Sequence, residues 1–434
     1  MIVAKIGGSC LSNKQDIRRV IEILEKNMEK RVKPILVVSA FKGVTDELLA
    51  QAQNALTAGF DLEKMEKLHY EFIEDLSPQI KAETERRVKA LFEELRRLLL
   101  GVSGSVLSSS SKDRIVSYGE KLAAEIVAAY LNNSGFEAKP LWDKDAGIIT
   151  NSNFGNGSIL DESKDRIRRK LDTSYIPVVA GFFGRDKEGK TVTLGRGGSD
   201  YVATFIAAAL NCEVTLFKDV DGLMTADPKI VKTASTIEKI NYSDALELAY
   251  YGSKVIHEKA IIPAMKAQIP VRITNFYSPD KGTIICDGGE ATAISSLSNV
   301  VKLNLFSSLK VANIASLLSG LNAFEINPLL LTKASRHEIS LVIKESEADI
   351  AQRTIREIDR KANTNVEKGF GLVTAIGSNV REKGMSASKF LFDKGIYVNA
   401  IARSATGRNL CVVVNREDVP TATQALHDFF YTHT

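Results

Sequence analysis

An α/β fold with a mainly parallel central sheet sandwiched by helices, followed by two small ferredoxin-like modules, is predicted by three observations. First, short apolar runs rich in Val and Ile at 2–6, 34–41, 176–183, 214–217 and 271–274 alternate with helical patterns at 14–30, 45–56, 117–132, 161–171, 200–210 and 242–268. Apolar strands that lack polar alternation and are separated by helices are strands covered on both faces. Second, the run at 176–183 leads through Thr191-Val-Thr-Leu-Gly-Arg-Gly-Gly-Ser-Asp200 into an alanine-rich helix. Its glycines strip side chains from a strand-to-helix turn, so backbone N–H groups can converge on an anion at a helix N-terminus. Third, a strand–helix–strand–strand rhythm occurs twice after residue 287.

The elements follow in chain order. The first strand ends on Lys5-Ile-Gly-Gly-Ser9, where Gly7 and Gly8 let backbone approach a phosphate, Lys5 supplies a point charge and Ser9 a hydroxyl. This is neither a Walker A sequence nor a G-x-G-x-x-G fingerprint, and a simple strand-ending turn would look the same. The second strand ends on Ser39-Ala-Phe-Lys-Gly-Val-Thr45, and in an open parallel sheet ligands sit beyond such C-terminal strand ends. Between 61 and 100 the strands stop. Leu62, Met65, Leu68 and Phe72, then Val88, Leu91, Phe92, Leu95 and Leu98, recur at helical spacing, which predicts an inserted helical hairpin over about 60–112. The Ser-rich stretch 103–111 reads as a mobile loop. Ser117-Tyr-Gly-Glu120 begins a helix, where Glu120 either complements the helix dipole or holds a cation such as an α-ammonium.

In the glycine turn, Arg196 offers a planar fork for a carboxylate or phosphate, and Asp200 places a charge in the first helical turn. The segment 217–228, Phe-Lys-Asp-Val-Asp-Gly-Leu-Met-Thr-Ala-Asp-Pro, lacks the last ligand of an EF-hand, so a nucleotide's ribose, base edge or phosphate-bound metal is the better partner. Gly252-Ser-Lys-Val-Ile-His257 sets Lys254 where it can meet phosphates or merely be solvated, and His257 reads as structural. The first C-terminal module runs through 301–305, 310–318, 326–332 and 339–343. The second runs through 371–376, 386–393, 397–402 and 410–414, with a last helix at 419–430. Neither carries a catalytic constellation, so this half is expected to be regulatory or structural.

Composition excludes other classes. The 434 residues allow about three domains at roughly 150 residues each. Apolar content of 44% and charged content of 25% are those of a globular protein. The 57 basic and 53 acidic residues leave only +4, with no basic tail to argue for nucleic acid or a membrane surface. Cys10, Cys212, Cys286 and Cys411 lie far apart without a C-x-x-C pair, which fits a reducing compartment and predicts no zinc site. The first six residues already read as a strand, leaving no room for a targeting peptide, and no apolar run is long enough to span a bilayer. A cytoplasmic protein is the expectation.

Taken together, Lys5-Ile-Gly-Gly-Ser9, Ser39-Ala-Phe-Lys-Gly-Val-Thr45, Ser117-Tyr-Gly-Glu120, Thr193-Leu-Gly-Arg-Gly-Gly-Ser-Asp200, Lys218-Asp-Val-Asp-Gly222 with Thr225-Ala-Asp-Pro228, and Gly252-Ser-Lys-Val-Ile-His257 resemble the aspartate kinases. The C-terminal half is similar to that family's paired ACT domains, including Ala425-Leu-His427 in the last helix. The resemblance implies an amino-acid kinase domain over 1–287, a first ACT domain over 295–368 and a second over 369–434, whose last helix packs back on the first. It implies phosphorylation of the β-carboxylate of L-aspartate by ATP, with Mg2+ carried by the nucleotide, as the first step of lysine, threonine and methionine biosynthesis. Lys5 would neutralise the transferring γ-phosphoryl, and Gly7 and Gly8 would donate N–H groups beside Ile6 and Ser9. Asp200 would orient Lys5, Arg196 would clamp the α-carboxylate and Glu120 the α-ammonium, with Ser39, Thr45 and Ser199 seating the substrate. Gly197, Gly198, Lys218, Asp219, Met224, Lys229, Lys254 and Val255 would line the nucleotide site, and no protein residue is assigned to metal. An amino-acid effector at the ACT domains and a homodimer or larger homo-oligomer are also implied.

Several residues depart from the family pattern. Ser9-Cys10 stands for Thr-Ser, keeping the hydroxyl but adding an oxidation point; Lys218, Met224 and Lys229 stand where Thr or Ser, Tyr and Arg are usual. Ile326-Asn-Pro-Leu329 replaces the usual V-D-L beside the effector. Two alternatives carry weight against an active aspartate kinase: another amino-acid kinase, such as a glutamate or acetylglutamate kinase, and a non-catalytic amino-acid sensor with a vestigial kinase half. No dinucleotide fingerprint follows residue 287, so a dehydrogenase half is not expected.

Overall fold

A computed structural model describes residues 1–29, 34–57, 59–104, 106–171, 174–306, 311–332, 338–360 and 362–431, with backbone alone at 27–29 and 311–313. The chain divides into two compact units. The first comprises Met1–Leu223, Thr236–Leu246 and Lys254–Gly289; the second comprises Met224–Ser235, Glu247–Ser253 and Glu290–Thr434.

The first unit runs β1 (Ile2–Ile6), α1 (Lys14–Glu29), β2 (Pro34–Val38), α2 (Val44–Asn54), α3 (Glu63–Ile73), α4 (Pro78–Val102), α5 (Ser109–Val116), α6 (Tyr118–Asn133), β3 (Ala138–Leu141), α7 (Asp143–Ala146) and α8 (Ser163–Leu171). It continues with β4 (Ile176–Ala180), β5 (Phe183–Arg185), β6 (Thr191–Thr193), α9 (Gly198–Leu210), β7 (Glu213–Lys218), β8 (Lys239–Ile240), α10 (Tyr242–Tyr250, crossing into the second unit), α11 (Glu258–Ala267), β9 (Val271–Asn275) and β10 (Gly282–Ile285). Eight strands form one sheet in the order β3-β4-β2-β1-β7-β9-β10-β8, and β5 and β6 form a separate hairpin. Every pairing from β3 to β9 is parallel; β10 reverses against β9. β2 and β4 are buried at every position, as strands covered on both faces must be.

Helix α6 is buried from Tyr118 to Leu131, which its all-round run of Ala, Leu, Ile and Val dictates. Each fully buried Leu or Ile contributes roughly 1.5–3 kcal/mol, so α6 anchors whatever its first turn carries. The inserted hairpin forms as predicted in α3 and α4. It also buttresses the loop after β2: the Phe41 ring stacks on Phe72 at 4.2 Å and meets His69 edge-on at 5.5 Å. His69 is fully buried, its Nδ1 is 2.7 Å from the Met65 carbonyl, and burial pushes its pKa down to about 4.

The structure departs from two sequence expectations here. The Ser-rich stretch is not all loop. Ser108 Oγ accepts from the Ser111 N–H at 3.1 Å, an N-cap that starts α5 inside the stretch. The single helix expected at 242–268 is two helices, because Gly252 adopts φ +117°, a conformation closed to helical residues.

The second unit runs β11 (Thr292–Phe306), α12 (Val311–Ala323), β12 (Leu330–Thr332), β13 (Glu338–Lys344), α13 (Ala348–Ile358), β14 (Asn363–Gly377), α14 (Ser378–Asp393), β15 (Val398–Arg403), β16 (Asn409–Asn415) and α15 (Val419–Tyr431). One antiparallel sheet has the order β12-β13-β11-β14-β16-β15. Two βαββ modules interlock in it. Residues 300–306 of β11 pair with β13, whereas 292–297 pair with 372–377 of β14, beside β16. The second module thus takes its outer strand from the chain that precedes the first. Two cores match this division: Val301, Leu303, Leu317 and Leu341 in one, and Ile294, Val373, Leu391 and Leu426 in the other. Among the described residues no helix is long and apolar enough to cross a membrane.

Candidate active site

Parallel pairing puts the C-terminal ends of β1, β2, β4 and β7 at one edge of the first unit's sheet. Ile6 lies opposite both Val38 and Phe217, and Val38 lies opposite Ala180. The residues that follow these ends therefore meet, although they are up to about two hundred positions apart in the chain.

At this edge Asp200, in the first turn of α9, receives two cations. Its Oδ1 is 2.7 Å from Lys5 Nζ, and Lys218 Nζ donates to its Oδ2 at 2.7 Å. Burial alone would raise the Asp200 carboxyl, but the two ammonium groups hold it well below the carboxylate range. Lys5 is pushed below the ordinary lysine value by burial, with the Lys218 charge adding to the effect and Asp200 opposing it. The triad carries a net positive charge beside a helix N-terminus, the arrangement that favours a phosphate.

Beside it lies a cavity of about 310 Å³, lined by Gly8, Ser9, Ser39, Thr45, Asp46 and Glu120 among others. Glu120 comes from the first turn of α6. Its Oε1 accepts the Ala40 N–H at 3.2 Å, while Oε2 is buried with no hydrogen-bond partner among the described residues. Burial raises the carboxyl from 4.5 to about 8, with the Ala40 N–H and the Lys5 charge opposing. A buried carboxylate oxygen left without a donor is the feature a ligand ammonium would complete.

The glycine turn is shaped by neighbours that sequence reasoning missed. Gly197 has φ +73°, and a Cβ there would fall 2.6 Å from His257 Cβ, so only glycine fits. Lys259 Nζ donates to the carbonyls of Leu194 at 3.2 Å and of Asn156 and Gly157 at 3.3 Å. Asp113 accepts the N–H groups of Gly155 and Thr193 and the Thr193 hydroxyl, each at 2.8 Å. Asp113 stands four residues before Ser117, and the only sequence signal was an acidic residue just beyond the Ser-rich stretch 103–111. Phe182, at φ +73° without being glycine, marks local strain at the same turn.

The remaining predicted residues divide. The N–H of Gly7 is donated to Phe217 O and that of Gly198 to Gly195 O, so neither is available to a phosphate as the sequence reading had it. Gly8 and Ser9 instead open a short 3-10 turn, Gly8–Cys10, whose first amides lie outside its ladder. Ser199 is buried in the first turn of α9, next to Asp200, and Ile6 is buried at the end of β1. Arg196 is exposed and does not line the cavity. Asp219 and Lys254 are exposed and Val255 is half-buried in the first unit, whereas Met224 and Lys229 belong to the second. Cys10 is not the oxidation point expected: it is fully buried and its thiol is pushed up to about 11 by burial. His257 is structural as read, its Nδ1 accepting the Lys259 N–H at 3.3 Å to cap α11.

The amino acid kinase family profile matches residues 1–275. Aspartokinase 1, chloroplastic, of Arabidopsis thaliana is 30% identical over 464 aligned positions, covering 99% of this chain and 80% of the relative. The aspartokinase of Corynebacterium glutamicum is 28% identical, covering 99% and 96%. Among solved structures, E. coli aspartokinase III in complex with aspartate and ADP matches with a TM-score of 0.83 at 25% identity, over 99% of each chain. The same enzyme in complex with lysine and aspartate matches with a TM-score of 0.79. The chain belongs to the amino acid kinase family and, within it, to the aspartokinases.

Proposed function

We propose that this chain transfers the γ-phosphoryl group of Mg-ATP to the β-carboxylate of L-aspartate. A β-carboxylate oxygen attacks the γ-phosphorus, the bond to the β,γ-bridging oxygen breaks, and ADP leaves with its electron pair. The nucleophile is already an anion, so the reaction needs alignment and charge neutralisation rather than a general base. One observation carries the reading: a cationic triad and an unsatisfied buried carboxylate share one sheet edge, the first suited to phosphates and the second to an α-ammonium.

Lys5 and Lys218 neutralise the charge that builds on the transferring group, and Asp200 holds both in place. Glu120 takes the α-ammonium, with Ser39 and Thr45 on the same wall. Arg196 reaches the α-carboxylate from the exposed turn, and Ser199 joins it from α9. Magnesium enters on the nucleotide. Asp219, Lys254 and Val255, all in the first unit, serve the nucleotide. Lys5→Ala should lower coupled turnover by about 10³-fold, the size of losing a charge aimed at the transition state; unchanged turnover would refute the assignment. A panel of glutamate, acetylglutamate and aspartate separates this reading from another amino-acid kinase.

The interlocked modules take a free amino acid as effector, as their likeness to the lysine-bound E. coli enzyme suggests. They also join two copies, because among the described residues β12 and β15 leave the sheet with open edges. Among lysine, threonine, methionine and S-adenosylmethionine, one should raise the melting temperature in a concentration-dependent way. A flat response to all four would count against an effector site.

A further inference from the structure

A second cavity of the first unit, about 420 Å³, shares no lining residue with the first. Its size falls within the range of small-molecule pockets. Four cations line it: Arg114, Lys121, Arg185 and Lys190. Only Glu94 among the lining residues is acidic, and its Oε2 already accepts the Tyr118 hydroxyl at 2.9 Å. Arg185 is held from behind by Asp143, with Nε 3.0 Å from Oδ2.

Lys121 decides the chemistry. It is only 7% exposed, yet no carboxylate or carbonyl is within bonding distance of its ammonium among the described residues. The amine sits over the Tyr118 ring at 4.5 Å and near that of Phe183 at 5.5 Å. Ring faces compensate a buried cation only in part. Burial pushes its pKa below the ordinary lysine value, and the Arg185 and Arg114 charges push the same way, whereas Asp143 and Glu94 oppose. A buried amine facing two guanidinium groups is poised for an anion that all three can share. The indole of Trp142 and the Leu91 side chain add an apolar wall.

We propose that this cavity is a binding site for a small organic phosphate, whose oxyanion is shared by Lys121, Arg185 and Arg114 while its carbon skeleton lies against Trp142. Guanidinium forks match phosphate oxygens in pairs, and Lys190 supplies a further charge at the rim. Glu120 and Lys121 are consecutive on α6 yet line different cavities, so one helical turn serves both.

The test is calorimetric titration of the full-length protein with inorganic phosphate and pyrophosphate, with citrate as the carboxylate control. Binding should persist in Lys5→Ala, which removes the catalytic ammonium, and weaken by roughly 30-fold or more in Lys121→Met, as for loss of one partner of a buried charge pair. Lys121→Arg should restore it, and Lys190→Gln, at the exposed rim, should weaken it only a few-fold. Without ligand, Lys121→Met should melt no lower than the parent, because it removes an uncompensated buried charge. Phosphate binding equal in Lys121→Met and the parent, binding lost in Lys5→Ala alone, no phosphate or pyrophosphate binding at millimolar concentration, or binding of citrate alone would each overturn the proposal.

Discussion

The two ends of the cleft at the sheet edge handle charge in opposite ways. At the Lys5–Asp200–Lys218 end every charge has a partner at 2.7 Å. At the Glu120 end a carboxylate oxygen is buried with none. The first end is finished without ligand and so can be rigid; a phosphate arriving there meets donors that need no reorganisation. The second is incomplete, and its cost is met only when an ammonium arrives. The contrast teaches that preorganisation for transfer and selectivity for an amino acid can be separated along one edge.

Cutting the finished end should do most damage. Asp200→Ala leaves the buried Lys5 ammonium facing the half-buried Lys218 ammonium, so turnover should fall by about 10³-fold and stability by roughly 3–5 kcal/mol. Progress curves and chemical denaturation check this, and wild-type stability in the variant would mean the triad is not a unit. Cutting the unfinished end should do the reverse. Glu120→Gln should raise the KM for aspartate by about 10- to 100-fold, as for loss of a charged hydrogen bond, without lowering the melting temperature. A KM left unchanged would remove Glu120 from the ammonium site.

The gentlest perturbation is pH. Burial pushes the free Glu120 carboxyl up to about 8, and an ammonium needs its ionised form. The KM for aspartate should therefore rise about tenfold for each pH unit below that value and level off above it. Because the folded value lies above the unfolded 4.5, protonated Glu120 also adds stability that is complete below 4.5 and lost as pH rises to about 8. Asp200 has the opposite sign: its depressed value gives stability present above the unfolded 3.8 and lost as pH falls through the folded value. A KM flat from pH 6 to 9 would show that Glu120 is already ionised without ligand.

Much of this was legible beforehand wherever the information is local. Helix α6 carries its burial in its own run of apolar residues, and α3 and α4 declare themselves by spacing. Gly197 was legible as a turn residue, but not that His257 is the neighbour which excludes a Cβ. The break at Gly252 was missed because the apolar pattern continues on either side of it. The long strands β11 and β14 were read as short ones because half of each pairs within a different module.

Residue types and their order along the chain determined the layered α/β scaffold, the glycine turns and the set of groups able to meet a phosphate and an amino acid, since strand and helix periodicity and turn stereochemistry act over a few residues. Tertiary structure alone decided that Lys218 would share Asp200 with Lys5, that Gly7 and Gly198 would spend their N–H groups internally, and that Lys121 would face a separate cavity. Those outcomes depend on parallel register and on burial, which join distant residues and change the cost of a charge by amounts that no local pattern encodes.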